Sequence, residues 1–445
     1  MIGQPSPGSA VVSHPVLRRL TPERLALGFA ALAGLIVLWN ALTYPSGAGY
    51  DAASHKEYGD FLIDHLRLPH ENETPEYYSP PLYYAIAGAL TWVGRQAGLG
   101  EPHKVAQLWN VPVAVCIVLL VIALARVLAP ERRWLAPAAA GFVALSPVFT
   151  RTAAMINPEP TDLLVSVLCL YLAARIFVGR RYGAAAAIGL GVALGAGEMV
   201  RQFSLWTLAV VVLAFGAALW VRVGERGSLL RTLAIALAAC IVVAGPWYGY
   251  RAANYSNAIF DRPHVDKPLW ERRPASFYLD TGLPDVFSKP YRQHMANLAW
   301  PQTYTDIWGD WYGVFAWRRA NAVPPPATNG WLVAQNVVGL VPTALALVGW
   351  LVLLVGSLRR RDAPWLLVSL LPLAGIAGYL YFTVSYPVPD GDVLKPTYML
   401  STLGAWAICF AWAASRSPRL VVVALGVLAA IDLPFLFYKG AVGWF

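Results

Sequence analysis

Residues 44–85 read YPSGAGYDAASHKEYGDFLIDHLRLPHENETPEYYSPPLYYA, a polar stretch interrupted by glycine and proline. It directly follows an uncharged apolar run that is long enough to cross a bilayer. An acid and a histidine, Asp51 and His55, lie near its start, and Pro80 and Pro81 lead the chain back into apolar sequence. Acid–base residues held just outside a membrane helix point to chemistry at a membrane surface.

The composition of the 445-residue chain decides its class. Hydrophobic residues make up 57% and charged residues only 13%, whereas soluble domains carry about 25% charged residues. Apolar runs of membrane-spanning length recur throughout, at 25–43, 105–128, 134–150, 161–178, 183–199, 203–221, 232–250, 331–356, 364–384, 396–414 and 419–437. The sequence therefore predicts one all-α domain over 1–445, a polytopic transmembrane bundle of about eleven spans, and excludes a water-soluble core of this size.

The net charge of +9 indicates topology rather than a nucleic-acid partner. Arginines cluster in the short connections 129–134, 179–182, 222–231, 357–363 and 415–419, which are separated by pairs of apolar runs. Short arginine-rich loops face the cytoplasm. The sequence therefore predicts that the N-terminus lies inside, and that the first loop, 44–104, and the large loop, 251–330, lie outside.

The first loop is predicted to contain two helices that lie on the membrane surface. Ser54-x-x-Glu57 fits a capping box, so the first helix should begin near His55. An apolar-aromatic stripe at helical spacing favours membrane-surface packing for it. The stripe consists of Tyr58, Phe61, Leu62, His65 and Leu66. A second such helix is expected over 82–93.

The order of these features resembles a known superfamily. An acid, a histidine, a surface helix, Arg67-Leu68-Pro69 and the run Pro80 to Tyr84 follow one another in the first loop. The segment Met155-Ile156-Asn157-Pro158-Glu159-Pro160 and the segment Lys395-Pro396-Thr397-Tyr398-Met399-Leu400 continue the likeness. The chain resembles the GT-C superfamily of integral-membrane glycosyltransferases, closest to the dolichyl-phosphate-mannose protein mannosyltransferase and aminoarabinose transferase branch. It departs where Asp51 is followed by Ala52 instead of a second acid, and where Asn-Pro-Glu replaces Asn-Asn-Asp.

The resemblance implies a protein of the plasma (inner) membrane whose active face is extracytoplasmic. Such enzymes transfer a sugar from a polyprenyl-phosphate donor to a glycolipid, cell-envelope glycan or protein acceptor. An inverting displacement needs a base on the acceptor hydroxyl and cations on the leaving phosphate. A divalent metal is optional in the superfamily, and the sequence assigns it no ligands. Membrane lipids are the remaining expected partners.

Five residues are the candidates for these roles, and each has a simpler interpretation. Asp51 is the expected base, or else a loop carboxylate that caps a turn. His55 is expected to orient Asp51 or contact the acceptor, or else to lie on the surface helix at the level of the lipid headgroups. Glu159 is expected to supply a second carboxylate, or else to be an exposed loop acid where a span meets water. Arg201 and Lys395 are the candidate phosphate ligands.

The simpler interpretations of the cations are structural. Arg201 is three residues from Glu198, so the two side chains are candidates for an ion pair. Lys395 begins an apolar run, where a lysine can extend toward the headgroups. Asp162 is a weaker candidate near Glu159, and Asp432 has no assigned role. A belt at the membrane interface, or stacking on a sugar or lipid, is expected of Trp300, Trp308, Trp311, Tyr312 and Trp317.

Two other function classes stay open at this point. A transporter or flippase of lipid-linked sugars predicts charged or broken helices near the bilayer midplane and two related halves. A membrane scaffold would not need these acids and cations to converge on one face. Transfer of a radiolabelled sugar from a polyprenyl phosphate in detergent would distinguish a glycosyltransferase from a transporter and from a scaffold.

The predicted topology is tested by labelling single cysteines in a variant that lacks the four natural ones. A cysteine at Asp280 should react with an impermeant reagent only from the outside, because it lies in the large loop. A cysteine in the loop 357–363 should react only from the cytoplasmic side. Labelling of position 280 from the cytoplasm alone would reverse the assignment of the active face.

Overall fold

The computed structural model describes residues 21–256, 265, 267–292, 294–315, 326–387 and 393–437, and the described chain is helical. The helices are α1 Pro22–Thr43, α2 Ala52–His65, α3 Leu82–Gln96, α4 Lys104–Leu108, α5 Asn110–Leu128, α6 Leu135–Ala144, α7 Pro147–Thr152, α8 Glu159–Gly179, α9 Ala184–Val200, α10 Ser204–Val221, α11 Arg226–Asn254, α12 Ala275–Leu279, α13 Ala299–Gly309, α14 Pro326–Arg360, α15 Ala363–Ser385, α16 Leu403–Ala414 and α17 Pro418–Asp432. A 3-10 turn, Pro396–Thr402, precedes α16.

All eleven predicted apolar runs are helical, which confirms the all-α fold class over the described ranges. Among the described residues, nine helical segments are long and apolar enough to cross a membrane, and α6 and α9 are shorter apolar helices. The predicted run 134–150 is divided between α6 and α7 at Leu145 and Ser146. Pro147 is the first residue of α7, a position where proline needs no hydrogen-bond donor and begins a new helix.

The long helices pack through small residues. Helix α1 lies against α5 and α6, α14 against α16, and α9 against α11. A side chain on Gly349 would place its Cβ 1.8 Å from the carbonyl oxygen of Cys409, and one on Gly191 would place it 2.2 Å from that of Ala236. Lipid offers no hydrophobic drive for helix association, so close backbone contact of this kind stabilises such bundles.

Helices α2 and α3 confirm the two predicted helices of the first loop, but α2 begins at Ala52, not near His55. Asp51 occupies the N-cap position with φ 53° and makes no side-chain cap, so the predicted capping box is wrong. The side chain of Tyr58 is buried, whereas Leu66 is 88% exposed. The predicted stripe therefore turns partly toward α3, which crosses α2 so closely that a Cβ on Gly88 would lie 2.4 Å from the oxygen of Gly59.

The large loop folds back onto the bundle through α12 and α13. The side chains of Trp308, Trp311 and Tyr312 are buried inside the protein, so the predicted belt at the membrane interface is wrong for them, and stacking on a sugar or lipid stays a prediction. Trp300 is 41% exposed, and Trp317 lies outside the described residues. The bounds 44–104 and 251–330 as outer loops stay predictions.

Gly349→Ala should destabilise the bundle, because the added methyl group meets a backbone carbonyl that cannot rotate away. Overpacking of this kind costs about 1–3 kcal/mol. We expect a lower thermal unfolding midpoint and a lower folded yield in detergent. Gly426→Ala in α17 is the matched control, because nothing lies within 4 Å of its Cβ position. Equal midpoints for the two variants would contradict the packing described for α14 and α16.

Candidate functional site

A cavity of about 210 Å³ lies at the end of the bundle that carries α2 and α3. Its walls combine charged and aromatic side chains. The lining residues are Asp51, Glu76, Tyr78, Ser79, Pro80, Arg201, Gln202, Phe203, Phe382, Tyr386, Val393, Lys395 and Tyr398. Three of the five candidate residues therefore line one cavity, although they come from three widely separated segments.

Asp51 and Lys395 form an ion pair across the cavity. The Nζ atom of Lys395 lies 3.0 Å from Oδ2 and 3.2 Å from Oδ1 of Asp51. Burial by itself would raise the pKa of Asp51, but Lys395 and the other nearby positive groups together outweigh burial, so that pKa is lowered. The Asp51 side chain keeps 39% of its accessible surface and that of Lys395 only 7%. The carboxylate is therefore ionised and open to the cavity, whereas the lysine reaches it from the buried wall.

Arg201 forms the second ion pair, and it is deeper. Its Nε lies 2.9 Å from Oε1 of Glu159, whose side chain is 1% exposed. One of its terminal nitrogens donates to Oγ of Ser79 at 3.2 Å and lies 3.8 Å from Oε2 of Glu76. Burial opposes the positive charge, but Glu159, Tyr84 and Glu76 together outweigh burial and raise the pKa of Arg201. Arg201 is therefore a fixed cation between two carboxylates.

His55 lies behind the cavity wall rather than on it. Its Nδ1 lies 3.1 Å from the hydroxyl of Tyr84, which in turn donates to Oε2 of Glu76 at 3.4 Å. The imidazole is buried, and this burial lowers its pKa. His55 is thus a neutral side chain near neutral pH. It connects α2 to α3 and reaches the cavity through Tyr84 and Glu76.

The other sequence candidates have different partners from those expected. The predicted Glu198–Arg201 ion pair is wrong: Arg201 pairs with Glu159, and Glu198 accepts a hydrogen bond from Tyr248 at 2.7 Å. Asp162 accepts one from Ser204. Asp432, which had no assigned role, accepts one from Thr150 at 2.6 Å. Packing between helices determines these partners, and the three-residue spacing of Glu198 and Arg201 did not reveal them.

Glu76 is the cavity residue that the sequence reasoning missed. Its side chain is 6% exposed and accepts a hydrogen bond from Ser79 at 2.6 Å. In the sequence it looks like its loop neighbours Glu71 and Glu73, which accept hydrogen bonds elsewhere in the structure. Its only distinguishing signal is that it directly precedes the Tyr-Tyr-Ser-Pro-Pro run leading back toward the bundle.

The described residues do not fit a divalent metal. No group of three or more His, Cys, Asp or Glu side chains in the described ranges is placed to hold a metal ion. The carboxylates that could contribute already face cations, Asp51 with Lys395 and Glu159 with Arg201. No step of the mechanism below is therefore routed through a metal.

Comparisons with solved structures identify similar folds. The structure resembles the apo oligosaccharyltransferase of Archaeoglobus fulgidus with a TM-score of 0.56, at 14% identity, over 94% of this chain and 55% of the other. It resembles the archaeal oligosaccharyltransferase AglB from the same organism, in complex with an inhibitory peptide and a dolichol-phosphate, with a TM-score of 0.54, at 13% identity, over 94% and 56%. ArnT from Cupriavidus metallidurans bound to undecaprenyl phosphate matches with a TM-score of 0.40, at 19% identity, over 87% and 77%.

These comparisons confirm the predicted likeness to the GT-C superfamily at the level of the fold. The chain spans about half the length of the archaeal enzymes it matches. No protein-family model matches the sequence, and a search of curated proteins likewise gives no match. The fold is therefore similar to that of the archaeal oligosaccharyltransferase.

Arg201→Ala should destabilise the protein strongly, because it leaves the buried carboxylate of Glu159 without its cation. Breaking one partner of a buried pair costs about 3–5 kcal/mol. We expect a marked loss of thermal stability in detergent, with partial recovery in Arg201→Ala/Glu159→Gln. Arg67→Ala, which breaks the exposed ion pair with Glu73, is the control and should change thermal stability far less, because solvent screens an exposed pair. An Arg201→Ala protein as stable as this control would refute the structural pair.

Proposed function

We propose that the protein is a glycosyltransferase that moves a sugar from a polyprenyl-phosphate donor to an extracytoplasmic acceptor at the plasma (inner) membrane. The observation that carries the proposal is the convergence of one exposed carboxylate, Asp51, one partly buried cation, Arg201, and one buried cation, Lys395, on one cavity. Transfer from a sugar phosphate requires a base for the acceptor and positive charge for the leaving group. Acceptors of the glycolipid, cell-envelope glycan and protein classes all present a nucleophile that fits this chemistry.

In the proposed reaction the acceptor hydroxyl attacks the anomeric carbon of the donor sugar. The new bond forms from the acceptor oxygen while the bond from the anomeric carbon to the phosphate oxygen breaks. The polyprenyl phosphate leaves with that electron pair, and its added negative charge is stabilised by Arg201 and Lys395. The hydroxyl proton passes to a carboxylate oxygen of Asp51. Attack opposite the leaving group inverts the anomeric configuration.

The Asp51–Lys395 ion pair couples binding of the donor to the strength of Asp51 as a base. With the site empty, Lys395 lowers the pKa of Asp51 and so weakens it as a base. A donor phosphate in the cavity competes for the same ammonium group. When Lys395 turns toward the phosphate, Asp51 loses its counter-charge, and its pKa rises toward the ordinary value. The base is then strongest when the donor is bound.

The positions of the four charged residues favour a transferase over the alternative, a transporter or flippase of lipid-linked sugars. Asp51 precedes α2, Glu159 is the first residue of α8, Arg201 follows α9, and Lys395 precedes the 3-10 turn. All four therefore lie at the termini of helical elements, at one end of the bundle. A transporter is expected to hold such groups near the midplane of its spans.

Asp51→Asn should abolish most of the transfer, because an amide cannot accept the hydroxyl proton. General-base catalysis contributes roughly 10²–10⁴-fold, so the transfer rate should fall by that factor. The measurement is transfer of radiolabel from a polyprenyl-phosphate sugar in detergent, with and without a chelator. Glu57→Gln, at an exposed acid of the same loop, is the control and should transfer normally.

The same assay separates the alternatives. An Asp51→Asn protein that transfers at the wild-type rate would place the base elsewhere. Loss of wild-type activity on chelation, restored by a divalent ion, would favour a metal site over a metal-free base. Lys395→Gln should weaken binding of polyprenyl phosphate about tenfold or more, because a charge-assisted contact of about 1.5–3 kcal/mol is lost. Lys395→Gln should also move the acidic limb of the pH–rate profile to higher pH, because Asp51 loses a cation that lowers its pKa.

A further inference from the structure

Tyr50, the residue before Asp51, is tied to the large loop. Its side chain is 4% exposed, and its hydroxyl donates to Oδ2 of Asp306 at 2.7 Å. Its ring packs edge-on against Tyr312 with centroids 5.6 Å apart. The Nζ atom of Lys395 lies 5.8 Å from the centre of the same ring. The side chain of Tyr50 thus contacts both the partner of Asp51 and a buried acid in α13.

Asp306 belongs to a buried charged cluster that the mechanism above does not use. Its Oδ1 accepts the backbone N–H of Tyr312 at 3.3 Å, and its backbone oxygen accepts from Arg151. Arg151 is 2% exposed and pairs with Asp310 at 2.9 Å. Asp310 accepts the backbone N–H groups of Val314 and Phe315. Asp306, the acid that Tyr50 contacts, is therefore fixed by hydrogen bonds to its carboxylate and to its backbone oxygen.

The backbone beside Tyr50 adopts an uncommon conformation. Asp51 has φ 53°, and Gly49 has φ 113°, which only glycine adopts readily. A non-glycine residue in the left-handed region keeps that conformation only when the surrounding structure enforces it. The bend directs Asp51 into the cavity while Tyr50 points away into the cluster. The hydroxyl of Tyr50 is the side-chain group that ties this bend to α13, while the side chain of Asp51 pairs with Lys395.

We propose that Tyr50 and Asp306 are positioning residues for Asp51: the hydrogen bond from the Tyr50 hydroxyl to Asp306 holds the bend at Gly49–Asp51, and so sets the carboxylate against Lys395 and the acceptor. Neither residue touches the substrate in this arrangement. The proposal depends on the proposed function for its kinetic consequence, but its structural consequence can be measured without any transfer assay.

The kinetic test is Tyr50→Phe, which removes the hydroxyl and keeps the ring. Displacement of a catalytic group by about 1 Å costs on the order of 100-fold in rate, so we expect kcat to fall roughly 10- to 100-fold. The KM for the donor and the Kd for polyprenyl phosphate should change less than about twofold, because Arg201 and Lys395 are not altered. The kcat of Tyr50→Phe/Asp306→Asn should be at most about twofold below the kcat of Tyr50→Phe alone, since both substitutions break the same hydrogen bond.

The matched control is Tyr44→Phe. Tyr44 is equally buried, and its hydroxyl donates to the backbone oxygen of Val314 at 2.6 Å. This variant loses a buried tyrosine hydrogen bond to the same part of the chain, but not next to Asp51. We expect a similar decrease in thermal stability and a kcat within about twofold of wild type. A kcat that falls equally in both variants would overturn the positioning role, because the loss would then follow from stability alone.

The structural test measures the bend directly. Spin labels on Ala53→Cys and Asn254→Cys, both exposed sites, are introduced after replacement of Cys116, Cys169, Cys240 and Cys409. The distance distribution between the labels should be narrow in the wild type and in Tyr44→Phe, and broad in Tyr50→Phe. A narrow distribution in Tyr50→Phe overturns the proposal whether or not transfer is affected. Failure of Asp51→Asn to reduce transfer would instead refute the proposed base and leave this measurement valid.

Discussion

A charged side chain at the end of an apolar helix needs a partner, because lipid and a dry interior give it none. Arg201, between α9 and α10, is satisfied by Glu159 at the first turn of α8. This pair ties together the ends of helices that come from different parts of the chain. Ser79 accepts a hydrogen bond from the same guanidinium and donates one to Glu76. Tyr84 in turn connects Glu76 to His55. The cavity wall is therefore organised around one buried ion pair.

The Asp51–Lys395 ion pair differs from the Arg201–Glu159 pair in the exposure of its carboxylate, and this difference affects its chemistry. Glu159 is 1% exposed, whereas the side chain of Asp51 keeps 39% of its surface. An anionic ligand that enters the cavity can therefore separate Lys395 from Asp51 more readily than Arg201 from Glu159. Arg201 stays beside Glu159 and contributes its charge to a bound phosphate from that fixed position, whereas Lys395 can also move toward the phosphate. The proposed coupling between donor binding and the strength of the base follows from this difference in burial.

The sequence predicted much of the candidate site for simple reasons. Arg201 and Lys395 stand out because each is charged and next to an apolar run, and Asp51 because of its place in the first loop and the resemblance to a known superfamily. All three line the cavity. Local spacing failed where the partner is remote. Arg201 was expected to pair with Glu198, three residues away, but pairs with Glu159, which is 42 residues away. Glu76 was missed because only its place before the Tyr-Tyr-Ser-Pro-Pro run separates it from the other acids of its loop.

The sequence by itself determined that the chain is a bundle of apolar helices with polar loops, because the bilayer requires long apolar runs and backbone hydrogen bonds within each segment. It also showed which charged residues lie at helix ends. Only the tertiary structure decided which of them meet. Lys395 and Asp51 are 344 residues apart, and Tyr50 and Asp306 are 256 apart. Their contact depends on how α2, α13 and the turn before α16 pack, and close packing of whole helices sets that geometry through contacts among small residues spread along the chain.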